Sequence, residues 1–419
     1  MILHVFTIKQ LSKDNKKKWS FFMNIKLLLL CFVCTSVFAS PTMNVNVSTS
    51  DNAKLESALD LKQGAVSAKK GNDIWGWTDP ETNKEYVIMG LDSKTSFVDV
   101  TDPKNPIHLT DLKTATISSA WRDVKIYKHY AYIVSEAWGH GLQIFDLHRL
   151  RSMKGGKVAK VKADARNKDF GSAHNIFINV DSGYAYAVGA KTCDGGLHIM
   201  DLVDPLKPKF VNCVGRGVYE IPTKHGEAYT HDVQCVIYNG PDTNFTGQEI
   251  CISSNEDTVN IVNVTDKNKP YQISAASYDG VKYTHQGWLT EDHKYFLLGD
   301  ELDEKKLGTN TRTFIWDFTD LSNPKNFAIH EHKTKAIDHN MYVKGNYVYQ
   351  ANYNAGLRIF DLSNIASGKL TEVGFVDTMP KRDSAVFEGV WSTFPYFKSG
   401  TVAISGIDGV LYLTKPVLK

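Results

Sequence analysis

The chain has 419 residues, a formal net charge of +2 and 42% hydrophobic residues. With a charge so close to zero, no nucleic-acid footprint and no nucleic-acid partner is expected. The length can bury a large core, and 11% aromatic residues suit a β-rich globular protein.

Residues 1–39 read as a signal peptide. Residues 9–18 are basic, residues 27–38 are apolar, and Val37 and Ala39 supply the small residues that precede a cleavage site. The apolar run is shorter than the about 20 residues of a membrane span. The mature chain is therefore expected to be secreted, extracellular or periplasmic, with no membrane span; a retained signal anchor is the alternative. The basic region is long, and a start at Met23 instead of Met1 would shorten it. Of the six cysteines, Cys31 and Cys34 leave with the leader, while Cys193, Cys213, Cys235 and Cys251 remain. Four cysteines in an exported chain point to two disulfides with three connectivities. Cys193–Cys213 with Cys235–Cys251 is preferred, because each pair falls within one repeat and would join neighbouring strands. A cysteine metal site is the rival, but the mature chain holds no C-x-x-C.

Residues 40–70 are polar and aperiodic, which predicts a flexible lead with one helical turn near Leu55 and Leu61. A repeat begins after them and recurs about every 49 residues, the spacing of a propeller or solenoid. Each unit opens on a short strand, as at Ala173-His174-Asn175-Ile176, Thr230-His231-Asp232-Val233, Thr284-His285-Gln286-Gly287 and Asp338-His339-Asn340-Met341. Each continues through an apolar strand such as Tyr347-Val348-Tyr349 and closes on another ending in Asp, as at Gly356-Leu357-Arg358-Ile359-Phe360-Asp361. A fourth strand follows the turn after that Asp, as at residues 107–112 and 210–214. The closing Asp is expected to cap the turn through backbone N–H groups. Turn signals such as Asp102-Pro103 and Asn323-Pro324 separate the strands, and no segment carries a helical period. Seven such units predict an all-β fold, a single seven-bladed β-propeller of four-stranded blades over residues 71–419.

The closings Gly-Leu-x-Ile-x-Asp-Leu at 141–147, 196–202 and 356–362 resemble LVIVD repeats. Together with the openings at His174, His231 and His339, they make the mature chain similar to the "choice-of-anchor B" group of secreted LVIVD proteins. The resemblance implies the propeller fold and export, and carries no biochemical activity with it. Some members end in a C-terminal anchor; this chain stops at Lys419 without an apolar tail, so a soluble form is expected.

Aligned by their openings, the repeats give one column: Trp75, Arg122, His174, His231, His285, His339 and Glu388. The innermost strands of a propeller line its central channel, so this column predicts a channel site. Neutral imidazoles with one carboxylate suit a divalent transition metal, Zn²⁺, Cu²⁺, Fe²⁺ or Ni²⁺. Arg122, with Asp123 and Asp232 of the next column, is expected to contact a ligand or to orient the imidazoles; that next column can instead face the neighbouring blade. Repeats also duplicate residues by descent, and plain channel lining is the alternative. The acidic run Asp300-Glu301-Leu302-Asp303-Glu304 lacks the Asp-x-Asp-x-Asp-Gly spacing of a calcium loop and reads as solvated, with Ca²⁺ as its alternative. His108, His129, His148, His293, His330 and His332 read as surface residues.

Two functions follow. The first is an exported binding or scaffold module for an unknown protein, glycan or small-molecule ligand. The second is a secreted metal-dependent hydrolase or oxidase using the histidines, with Glu388 as ligand or general base. No complete catalytic set is visible, which favours the first.

Overall fold

Strand patterning explains why each repeat becomes a blade. Successive residues of a strand point to opposite faces. In the strand Leu142–Asp146, Leu142 and Ile144 pack toward one neighbouring blade while Phe145 packs toward the other. Both faces are therefore apolar, and the blade is stable only between two others. The computed structural model describes residues 40–219 and 228–418; the expected leader, with Cys31, Cys34 and both candidate start residues, lies outside them.

Seven antiparallel sheets carry the repeats. The third, for example, is built from Asn175–Asn179, Tyr184–Val188, Leu197–Asp201 and Lys209–Val214 in chain order. The innermost strands begin at Gly71, Arg122, Asn175, Asp232, Thr284, Met341 and Val390, and each touches the next in cyclic order, the last against the first. Seven apolar clusters fill the seven gaps between blades. Truncating one fully buried Leu or Ile in them to Ala would cost about 2–5 kcal/mol. The closing Asp behaves as expected: Asp99, Asp201, Asp317 and Asp361 each accept the backbone N–H two residues on, at 2.6–3.0 Å. Gly356 precedes such a closing at φ 76°, and a Cβ there would collide with Val376 O.

The lead carries two strands. Leu55–Asp60 is a strand, not a helical turn, and pairs antiparallel with Val410–Thr414 as the outer strand of the seventh blade. Ser57 lies opposite Leu413 and Leu59 opposite Leu411. Leu59 and Leu61 enter the cluster between blades seven and one, whereas Ala58 faces blade six. Three small or branched residues among polar ones gave too little alternation to predict this strand. Ser48–Thr49 adds a further edge to blade six, so the propeller begins well before residue 71. Both disulfides are those expected. Cys235 lies directly opposite Cys251 across two strands, and Cys193 bridges to Cys213 on the third blade's outer strand. Each closes a loop of 16 or 20 residues, worth about 3 kcal/mol by chain entropy.

Non-reducing peptide mapping should recover Cys193 joined to Cys213 and Cys235 to Cys251; a crossed pair would contradict this blade arrangement. A chain truncated to begin at residue 62 should lose its cooperative thermal transition or melt at least about 10 °C lower. An unchanged melting profile would show that the closing strand is dispensable.

Candidate metal centre

The ends of the inner strands converge on the channel mouth. His174, His231, His285 and His339 come from four consecutive blades, and their imidazoles follow one another with centroids 4.1, 4.2 and 4.5 Å apart. All four are buried. They border a cavity of about 10 Å³, the room of one water or one ion.

Hydrogen bonds fix which nitrogen faces inward. His231 donates Nδ1–H to the carbonyl of His285 at 3.1 Å, and His339 donates Nδ1–H to the carbonyl of Trp391 at 2.5 Å. A carbonyl can only accept, so in the neutral ring each Nε2 keeps its lone pair. His174 turns Nδ1 to the Glu136 carboxylate at 2.6 Å. His285 leaves its Nδ1 buried without a partner and sets Nε2 3.8 Å from Glu301 Oε2. Tying one ring nitrogen to a carbonyl or carboxylate is how proteins orient a metal-ligating imidazole. Burial, then repulsion from neighbouring imidazoles, holds His231 and His285 well below the ordinary imidazole range. Burial likewise brings His339 down to about 3. At His174 burial also opposes charge, but the hydrogen bond and charge of Glu136 outweigh it and raise the group. Three of the four rings thus stay neutral, the form that binds a metal.

The carboxylate at this site is Glu301, not Glu388. Glu301 Oε1 lies 3.5 Å from His339 Nε2 and accepts the Tyr353 hydroxyl at 2.6 Å. Burial pushes its carboxyl up to about 7, with the Tyr353 hydrogen bond pulling the other way. Glu388 is half exposed and pairs with Arg382. The seventh inner strand starts only at Val390 and is bulged between Val390 and Ser392, so Trp391 takes the position aligned to Glu388. A bulge between Gly71 and Ile74 likewise moves Trp75 out of the column. It lies deeper, 5.6 Å from Tyr342 and under the Lys125 ammonium. Arg122 does line the cavity, but its guanidinium reaches Leu91 O, Thr114 Oγ1 and His140 at 2.7–3.0 Å. Three of its five N–H donors are thus engaged by the protein.

Asp123 and Asp232 form a layer beneath and stitch blades together. Asp123 accepts the backbone N–H of Ile176 at 2.9 Å and the Lys125 ammonium at 2.6 Å. Asp232 accepts the amide of Asn175 at 2.7 Å. Neither orients an imidazole; carbonyls of the next blade orient His231 and His339, and the Glu136 carboxylate orients His174. The acidic run is not solvated either. Asp303–Leu307 is a one-turn helix, and Asp303 and Glu304 are buried. Two of the histidines read as surface, His108 and His332, are buried as well, held by Asp111 and Thr313.

Beside the imidazoles opens a cleft of about 330 Å³ lined by Trp121, Tyr353, Phe387 and Trp391, with Glu301 at its inner wall. Trp121 and Trp391 border both spaces. Sequence reasoning missed these residues because all but Trp391 lie outside the strands, Trp121 and Phe387 between repeats and Glu301 and Tyr353 in connections within a blade, where no alternation marks them.

Fold and site together define a β-propeller with a histidine-lined channel mouth. Residues 339–378 match the LVIVD repeat, which spans the sixth blade from the site histidine to the outer strand. No curated protein matches the chain. The β-propeller domain of Cps50 (Swd1) from Myceliophteria thermophila is similar, with a TM-score of 0.50 and 12% identity, covering 86% of this chain and 100% of that one. That likeness shows the fold alone.

In an NMR titration from pH 8 to 5, the imidazoles of His231, His285 and His339 should stay neutral while His174 takes up a proton. Titration of all four near pH 6.5 would contradict the buried, neutral cluster.

Proposed function

We propose that the chain is an exported binding propeller that holds one divalent transition-metal ion at its channel mouth and presents it to a ligand in the aromatic cleft. The observation that carries this reading is the orientation of the imidazoles. Three rings turn Nδ1 outward to a carbonyl or carboxylate, and one ligand atom each from His285, His339 and Glu301 lies within 4.8 Å of the other two. The residues fit Zn²⁺, Cu²⁺, Fe²⁺ or Ni²⁺, since imidazole nitrogen with one carboxylate suits these ions. An ion held by His174, His231, His285 and His339 would supply Lewis acidity to whatever enters the cleft. The flat faces of Trp121 and Trp391 suit a planar small molecule or a glycan. Export is supported by the two disulfides, which persist in oxidising compartments. Among the described residues no helix is long and apolar enough to cross a membrane.

A second reading, a metal-dependent hydrolase or oxidase, is favoured by one feature. Glu301 lines the cleft beside His285 and His339, within reach of a bound molecule as a proton donor or acceptor. Glu388 has no such position.

Metal content of the mature chain, purified from medium or periplasm, tests the proposal. About one equivalent of transition metal is expected, lost in the His231→Ala/His285→Ala double variant. Glu301→Gln should weaken binding about 10–100-fold, and Glu388→Gln should leave it unchanged. A fully stable wild-type chain that binds no transition metal would falsify the reading.

A further inference from the structure

A second cluster lies on the far side of the same turn. Asp303 and Glu304, in the helix after Glu301, meet Asp338 at the entry to blade six. One oxygen from each lies within 4.8 Å of the other two, the span of two Ca–O bonds of about 2.3–2.6 Å. Asp303 and Asp338 are fully buried and Glu304 nearly so. Neither oxygen of Asp338 finds a donor outside the cluster, and Asp303 Oδ1 and Glu304 Oε2 are also without one. Such groups ordinarily reach a partner, because an unpaired buried carboxylate is costly.

The charges do not balance. Arg312 donates Nε–H to Asp303 Oδ2 at 2.7 Å, which leaves two carboxylates without a counter-ion. Asp300, itself a carboxylate, adds to the repulsion on Asp303 and Asp338; its own oxygens accept from the Tyr278 hydroxyl and the backbone N–H groups of Lys282 and Tyr283. Burial first, then mutual repulsion, pushes Glu304 up to about 12 and Asp338 well above the carboxylate range. The backbone makes room for the arrangement. A Cβ on Gly299 would overlap Asp338 Oδ2, so only glycine lets that carboxylate into the cluster.

We propose that Asp303, Glu304 and Asp338 form a buried Ca²⁺ site that ties the turn carrying Glu301 to the opening of blade six. All donors are oxygen, which selects a hard cation over the transition metals suited to imidazole. The site is separate from the imidazoles and stands without them. The residues are sealed from solvent, so the ion enters as the chain folds. Bound there, it neutralises the acidic trio and fixes the peptide that bears Glu301 against the one that bears His339.

The test is to refold the full mature chain in EDTA or in millimolar CaCl₂ and record melting. Calcium should raise Tm by about 5 °C or more over EDTA, through ligand linkage. The His231→Ala/His285→Ala variant should keep the full calcium shift, which separates this site from the transition-metal site. Asp338→Asn should abolish the shift; if that variant does not fold, Glu304→Gln is to be scored in its place. Equal Tm in calcium and EDTA would mean that the trio shares protons instead of an ion and would overturn the proposal. So would a calcium shift that survives Asp338→Asn or Glu304→Gln.

Discussion

Leu55–Asp60 lies antiparallel on Val410–Thr414, so a strand from the start of the described chain completes the blade built by its end. Every other feature depends on that pairing. Blades with two apolar faces cannot stand alone, and the cluster joining blade seven to blade one includes Leu59 and Leu61 from the closing segment. Once the ring is closed, residues far apart in sequence share one axis. Asn340 of blade six, for example, reaches the Asp73 carboxylate of blade one at 3.0 Å.

The same closure sets the electrostatics of the channel. Charge is partly offset in the middle layer, where the single Lys125 ammonium stands among Asp73, Asp123 and Asp232 and burial pushes Asp73 up to about 6 and Asp232 up to about 7. It is avoided at the mouth, where burial keeps three imidazoles neutral. A cluster of neutral nitrogen donors beside a carboxylate is costly as a bare apolar lining and sensible as a ligand shell. The single turn from Glu301 to Glu304 carries both the carboxylate beside the imidazoles and two members of the acidic trio behind it, so packing of that turn governs where both lie.

The seven-bladed fold, both disulfides and the four histidines were legible in the sequence, because a repeated strand puts the same offset in the same place. Bulges were not legible. They displaced the alignment at both ends of the ring, assigning Trp75 and Glu388 to a column that Trp391 in fact completes. Glu301 was hidden for a different reason. A run of five residues with four acids looks solvated, and only the packing of Asp338 against it shows that it is folded inward. The closing strand escaped notice because its partner lies some 350 residues away and its own six residues are half polar.

X-ray absorption at the K edge of Cu²⁺ or Zn²⁺ bound to the mature chain measures the ligand shell itself. The account predicts at least three imidazole nitrogens with their outer-ring scattering, plus one carboxylate oxygen. A shell of oxygen or sulfur alone, without imidazole scattering, would contradict it.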